Sequence, residues 1–214
     1  MIFKSREEAG SLLAKKLKNY GKENCLVLAI PRGGVAVGAK IAEALSAPLD
    51  VIVTRKLGAP GNPELAIGAT TSKGGIVLDR ELIDRLGVTQ DYVHREHKEQ
   101  LAEARRREKL YSQGVEPDFA DKTVILVDDG IATGATIEAT VAALREGNPR
   151  KMIIAVPVAP PQTVGRLKHQ MDDFVVLSTP ESFLAIGEFY SSFPQVSDEE
   201  VVKILKETNQ ASKT

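Results

Sequence analysis

Val124-Ile125-Leu126-Val127-Asp128-Asp129-Gly130-Ile131-Ala132-Thr133-Gly134-Ala135-Thr136 is the stretch on which both the fold and the chemistry of this chain turn. Four β-prone apolar residues run into two adjacent carboxylates, and a small-residue loop rich in Thr and Gly then opens a helical pattern. Such a run describes a buried strand that delivers charge to the edge of a sheet. Neighbouring Asp side chains repel each other unless cations or hydroxyl donors face them, so Asp128 and Asp129 predict a polyhydroxylated or metal-bearing ligand. In the loop, Gly134 and Ala135 allow backbone N–H groups to approach a ligand, Thr133 and Thr136 add hydroxyls, and the next helix presents its positive end. The combination is a phosphate cradle. It lacks the Gly-Lys-Ser/Thr ending of a P-loop, which argues against a triphosphate bound through a P-loop lysine.

Outward from this stretch, the pattern alternates between strand and helix. Leu26 to Ile30, Leu49 to Thr54, Met152 to Val156 and Phe174 to Leu177 read as buried strands. Val35 to Leu45, a segment running to Arg145 and another after Pro161 read as helices. Ser5-Arg6-Glu7-Glu8 has capping-box spacing before a first helix that ends near Tyr20-Gly21, and Ser197-Asp198-Glu199-Glu200 starts a last one. Further helices are expected near Asp79 to Leu86 and over Gln90 to Tyr111, with short strand-like pieces at Leu65 to Thr70 and Gly75 to Leu78. The fold class is therefore α/β, a doubly wound and mainly parallel sheet flanked by helices. The 214 residues, 43% hydrophobic and 27% charged, suit one domain over 1–214.

A formal net charge of −1 offers no global attraction to nucleic acid or to an anionic membrane. Cys25 is the one cysteine, so no intrachain disulfide can form, and its place at the head of an apolar run predicts a buried thiol. Charged residues among the first eight interrupt any signal-peptide core, and no window has the length of a membrane span. A soluble cytoplasmic protein without a membrane partner is expected.

Ligands of doubly wound sheets bind at the carboxyl ends of the strands, so the other strand ends should carry partners for the acid pair. After the first strand, Pro31-Arg32-Gly33-Gly34 sets a guanidinium and two glycines between strand and helix, suited to an anion. A dinucleotide fingerprint is disfavoured, because the glycine spacing is wrong and the next strand ends in Arg55 instead of an acid. Arg55-Lys56 precedes Leu57-Gly58-Ala59-Pro60-Gly61-Asn62-Pro63-Glu64, whose Gly and Pro content predicts a mobile loop without regular structure. A receiver domain also ends a strand in two Asp, but it needs a later Asp-ended strand and then a Lys-ended one, and no clear pair of these follows.

Taken together these motifs resemble the type I phosphoribosyltransferases, whose ribose-phosphate loop reads hydrophobic run, two acids, a short step and Thr-Gly-x-Thr. With Gly187-Glu188-Phe189-Tyr190 near the end, the chain resembles a bacterial phosphoribosyltransferase group along nearly its whole length. The resemblance implies that Asp128 and Asp129 hold the ribose hydroxyls of phosphoribosyl pyrophosphate. Thr133, Gly134, Ala135 and Thr136 would then take the 5′-phosphate, with Gly130 and Ala132 completing the ribose-5-phosphate site. Arg32, Gly33, Gly34, Arg55 and Lys56 would bind pyrophosphate, with Asp128, Asp129, Arg55 and Lys56 as the catalytic set. It further implies a cis peptide at Pro31-Arg32, a lid over residues 57–75, a homodimer, and Mg²⁺ held by donor oxygens and waters near the acid pair, without an all-protein cage. Many purine-specific members carry Asp where this chain has Ala132, which removes one candidate proton carrier.

The acceptor is less legible. A hood made of the first helix and residues 179–196 would cover a nucleobase-like acceptor, with Phe189 and Tyr190 as candidates for stacking on it; the alternative is an aromatic cluster that fastens the tail to the sheet. The helical insertion at 79–112 carries Arg105-Arg106-Arg107, but Glu96, Glu99, Glu103 and Glu108 cancel the field, so a solvated or dimer-facing helix is expected and nucleic acid is not. His94 and His97 share a helical face without a third metal ligand at suitable spacing. The functional reading is Mg²⁺-dependent transfer of ribose 5-phosphate to such an acceptor. Its alternative is a non-catalytic regulator of the same fold that senses the donor or a nucleotide.

Overall fold

The computed structural model of the protein describes residues 1–111 and 118–211. Helix α1 (Arg6–Leu17) precedes strand β1 (Cys25–Ala29), helix α2 (Gly33–Leu45) and strand β2 (Leu49–Val51). Strands β3 (Thr54–Ala59), β4 (Asn62–Thr71) and β5 (Ile76–Leu78) lead to helices α3 (Arg80–Arg85) and α4 (Gln90–Tyr111). The second half alternates β6 (Thr123–Val127), α5 (Ala135–Glu146), β7 (Lys151–Val158), α6 (Pro161–Lys168) and β8 (Asp173–Ser178), and closes with α7 (Asp198–Ala211).

The main sheet has the order β2-β1-β6-β7-β8 and is parallel throughout. Because successive strand residues face opposite sides, each apolar run feeds two cores at once. From β1, Cys25, Val27 and Ala29 join Leu13 and Leu17 of α1, Ile41 and Leu45 of α2, and Val201 and Leu205 of α7. The alternate residues Leu26, Leu28 and Ile30 join Ile137, Val141 and Leu144 of α5 and Leu167 of α6. The other central strand divides the same way, Ile125 and Val127 to one face, Val124 and Leu126 to the other. Both faces are covered, as continuous apolar strands require.

Sheet order also sets the place of the site. The chain leaves β1 toward β2 on one side and leaves β6 toward β7 on the other, so the connections diverge between β1 and β6. A crevice opens at the carboxyl ends of two such strands. Residues 30–34 and 128–136 lie on its two lips.

The strand expected over Leu49 to Thr54 is shorter than its apolar pattern suggests, ending at Val51; from Thr54 the chain enters a second, antiparallel sheet of order β3-β4-β5. The Gly- and Pro-rich segment expected to lack regular structure forms the β3–β4 hairpin, with Thr54 opposite Thr71 and Ala59 opposite Asn62. Its breakers act locally. Pro60 and Gly61 make the turn, Gly61 at φ 75°, a conformation open to glycine at the second central residue of a Pro-Gly turn. Gly58 sits at a register shift, where a Cβ would come 2.8 Å from Pro63 Cα.

Helix α4 is also not simply solvated. It buries Val93, Ala104, Glu108 and Tyr111, and with Ile83 its Val93 packs on Leu57, Ala59 and Ile67 of the hairpin. Residue 112, the end of the expected 79–112 insertion, lies outside the described residues. Among the described residues no helix is long and apolar enough to cross a membrane.

Candidate active site

A cavity of about 550 Å³ opens at the switch point, and Arg32, Gly33, Arg55, Lys56, Asp128, Asp129 and Thr136 all line it. Ile30, Pro31, Thr54, Gly58, Pro63, Glu96 and Gln100 complete its wall. Four segments distant in sequence thus bring cations, carboxylates and a helix start to one space.

β6 ends in the acids because its five residues are all buried and the chain can carry charge only past the sheet edge. Asp128 is half-buried and its Oδ1 accepts from the Asp129 backbone N–H at 2.8 Å. Asp129 is buried, and its Oδ2 accepts from Arg6 Nε at 2.7 Å, with side chains only 8% and 12% exposed. Arg6 also donates to the Pro194 carbonyl at 2.8 Å and lies 3.8 Å over the centre of the Phe193 ring. Burial raises the Asp128 carboxyl well above the ordinary range, and the neighbouring Asp129 charge pushes the same way. Burial raises Asp129 as well, against the opposing pull of Arg6. The pair therefore holds a proton to higher pH than free carboxylates do.

The glycines of the first loop are needed for packing as much as for ligand approach. A Cβ on Gly33 would stand 1.9 Å from Asp129 Oδ2, and one on Gly34 would stand 2.8 Å from the Val127 carbonyl and 2.9 Å from Asp128 Cα. Only bare backbone lets α2 start against the acid pair. The Pro31–Arg32 peptide is cis, as the resemblance implies. Arg32 Nη1 stands 3.9 Å from Asp198 Oδ1 of α7, the same oxygen that accepts from Tyr111 Oη at 2.5 Å.

On the opposite lip, Gly134 caps α5 at φ 85°, and this first turn has no side-chain cap. Thr136 reaches the cavity, whereas Ala132 and Thr133 are exposed and Gly130, Gly134 and Ala135 form the backbone of the loop. α6 holds the loop from behind. Thr163 Oγ1 donates to the Ala132 carbonyl at 2.8 Å, and Arg166 donates to the Thr133 carbonyl while pairing with Glu138 at 3.1 Å. Arg55 and Lys56 arrive from the start of β3, where Arg55 Nε donates to Gln100 Oε1 at 3.0 Å.

The two aromatic residues expected to face an acceptor are placed otherwise. Tyr190 is 6% exposed, its ring set between Phe3 at 5.5 Å and Phe193 at 4.9 Å, and its hydroxyl donates to the Asp129 carbonyl at 2.6 Å. Phe189 packs 5.1 Å from Phe183, and neither residue lines the cavity. Tyr190 thus fastens the tail and steadies the acid loop, the second of the two readings of this cluster, because its ring packs on Phe3 and Phe193 and its hydroxyl is already engaged.

No site role was read from the sequence for Arg6, Glu96, Gln100, Thr163 or Arg166. Arg6 did leave a signal: a cation at the first position of α1 opposes the helix dipole, which points to a tertiary partner. For a divalent cation, the carboxylates beside the cavity are Asp128, Asp129 and Glu96, the last already accepting from the Gly58 N–H and from Gln100, and no cluster of three or more His, Cys, Asp or Glu able to hold a metal occurs among the described residues. This donor set fits Mg²⁺ that keeps most of its shell in water and ligand oxygens.

A Mycobacterium tuberculosis protein carrying a phosphoribosyl transferase name is 38% identical over 205 residues, or 95% of this chain. The chain spans 46% of that relative's length, about half. The crystal structure of TT1426 from Thermus thermophilus superposes with a TM-score of 0.83 at 42% identity, covering 97% of this chain and 99% of that one. A purine phosphoribosyltransferase from Pyrococcus horikoshii, 18% identical over 90% of this chain and 92% of its own, shares the fold at a TM-score of 0.50. The phosphoribosyl transferase domain family matches residues 2–192, and the chain belongs to that family.

Proposed function

We propose that the protein transfers the ribose 5-phosphate of phosphoribosyl pyrophosphate to a nucleobase or related nitrogen heterocycle, releasing pyrophosphate. The observation that carries this reading is the cavity that gathers Arg32, Arg55 and Lys56 opposite Asp128, Asp129 and Thr136. In the reaction the bond from the anomeric carbon to the pyrophosphate oxygen breaks and its electron pair leaves with pyrophosphate, while a ring nitrogen forms the new bond and gives up its proton to solvent. Positive charge builds on the ribose and negative charge on the leaving group. Asp128 and Asp129 hold the ribose diol, while Arg32, Arg55 and Lys56 receive the developing oxyanion. The uncapped first turn of α5 and Thr136 take the 5′-phosphate. Bound Mg²⁺ would neutralise pyrophosphate oxygens, and Asp128 and Asp129 are the residues that would hold it, through water or directly. The β3–β4 hairpin is proposed as the lid, and a homodimer in the cytoplasm as the working form.

Release of pyrophosphate across a panel of bases tests the reading. Asp128→Asn is expected to lower turnover with the best acceptor by about a hundredfold, the loss of one charged contact to a reacting sugar. Unchanged turnover in that variant removes the assignment of the acid pair. One observation favours the regulator alternative, namely that Arg6 already occupies an oxygen of Asp129. Tight binding of the donor with no product from any base would support that alternative.

A further inference from the structure

Helix α4 reaches the donor cavity through two side chains one turn apart, Glu96 and Gln100. Glu96 Oε1 accepts from the Gly58 backbone N–H at 3.2 Å and from Gln100 Nε2 at 3.2 Å. Gln100 Oε1 in turn accepts from Arg55 Nε at 3.0 Å. The Gly58 carbonyl accepts from Tyr92 Oη at 3.1 Å, so α4 holds Gly58 of the hairpin through both its N–H and its carbonyl.

We propose that Gln100 is a positioning residue for Arg55, relaying the fixed point at Glu96 to the guanidinium that receives pyrophosphate; this rests on the donor-site reading above. The direction of the relay is set by chemistry. An amide between a carboxylate and a guanidinium has one stable orientation, NH₂ toward the acid and carbonyl toward the cation, because the flipped amide opposes like partners on both sides. Gln100 is therefore locked, and the Arg55 side chain that it holds through Nε keeps its two terminal nitrogens for paired contacts with an oxyanion. A long flexible cation on a hairpin would otherwise give up rotamer freedom each time it bound. Helix α4 thus supplies that ordering in advance and belongs to the site as a buttress.

The test is a double-mutant cycle read as binding of magnesium pyrophosphate by titration calorimetry, so that no acceptor need be known. Wild-type protein is expected to bind, and Arg55→Ala to bind about a hundredfold more weakly. Gln100→Met, of similar volume but with no amide, is expected to weaken binding about five- to tenfold in the wild-type background and less than about twofold when Arg55 is already Ala. Gln100→Ala, a better helix former, should repeat that pattern and guards against a packing effect of Met. Equal losses from Gln100→Met in both backgrounds would show a general structural role and overturn the proposal. So would wild-type affinity in Gln100→Met and Gln100→Ala while Arg55→Ala is impaired. Failure of the wild-type protein itself to bind magnesium pyrophosphate is a different result, which removes the donor-site reading and this inference with it.

Discussion

Asp129 shows how one residue serves two masters. Its carboxylate faces the cavity, yet Arg6 anchors it from the other side and Tyr190 anchors its backbone carbonyl. Removing one partner of a buried ion pair leaves an uncompensated charge, which costs about 3–5 kcal/mol. Arg6→Met is accordingly expected to lower stability by that order in urea unfolding, and adding Asp129→Asn should recover much of the loss. Additive losses in the double variant would show that the two side chains do not depend on each other. Gly33→Ala acts on the same carboxylate from α2, since its methyl group would need the space of Asp129 Oδ2. It should destabilise the fold by about 1–3 kcal/mol and weaken donor binding together, checked by thermal unfolding and calorimetry on one preparation.

At the scale of elements, the β3–β4 hairpin forms a sheet of its own, held between α4 and α5, with Thr54 paired to Thr140 of α5. Its own core is small, Leu57, Ala59 and Ile67 against Ile83 and Val93, and the polar clamps of Tyr92, Glu96 and His97 add to it. His97 pairs with Thr70 at 3.1 Å, and burial lowers its affinity for a proton. Elements with few buried apolar contacts open below the global unfolding energy. Tyr92→Phe deletes the bond to the Gly58 carbonyl and is expected to cost about 1 kcal/mol in local opening. Amide exchange should quicken across residues 54–71 while the β1 and β6 amides stay unchanged; a uniform change over both sheets would contradict an independently opening hairpin.

For the whole molecule, Asp50 gives a pH dependence of unusual sign. Burial pushes its carboxyl up to about 6 from 3.8, with the charge of Glu108 adding to the rise and that of Lys73 opposing it. Between those two pH values the folded chain binds more protons at this position than the unfolded chain, so this contribution favours the fold below about 4 and is lost as pH rises through about 6. Asp50→Asn keeps an acceptor for the Val51 N–H while removing the charge. It should stabilise the protein by on the order of 1 kcal/mol at about pH 8 and by almost nothing at about pH 4. A stabilisation of equal size at both pH values would assign the effect to something other than ionisation.

The sequence by itself determined the alternation of strands and helices, the parallel sheet and the order of charge at its strand ends. Those features are local: apolar runs of strand length, capping residues and small residues after carboxylates act within a few positions of one another. Arg32, Arg55, Asp128 and Thr136, which line the cavity, were legible for that reason, each standing at the end of a recognisable run. Only the tertiary structure decided which of them meet, and what holds them there. The partnership of Arg6 with Asp129 spans 123 positions, and the grip of Gln100 on Arg55 spans 45, separations over which no periodicity carries information. The same limit explains the hairpin and Tyr190. Gly and Pro in 57–64 read as breakers until pairing with β4 absorbs them into a turn and a bulge, and an aromatic side chain suited to stacking on a ligand instead stacks on Phe193 and packs at a tilt on Phe3. Burial, the physical quantity that chooses among such outcomes, exists only once distant segments have closed on each other.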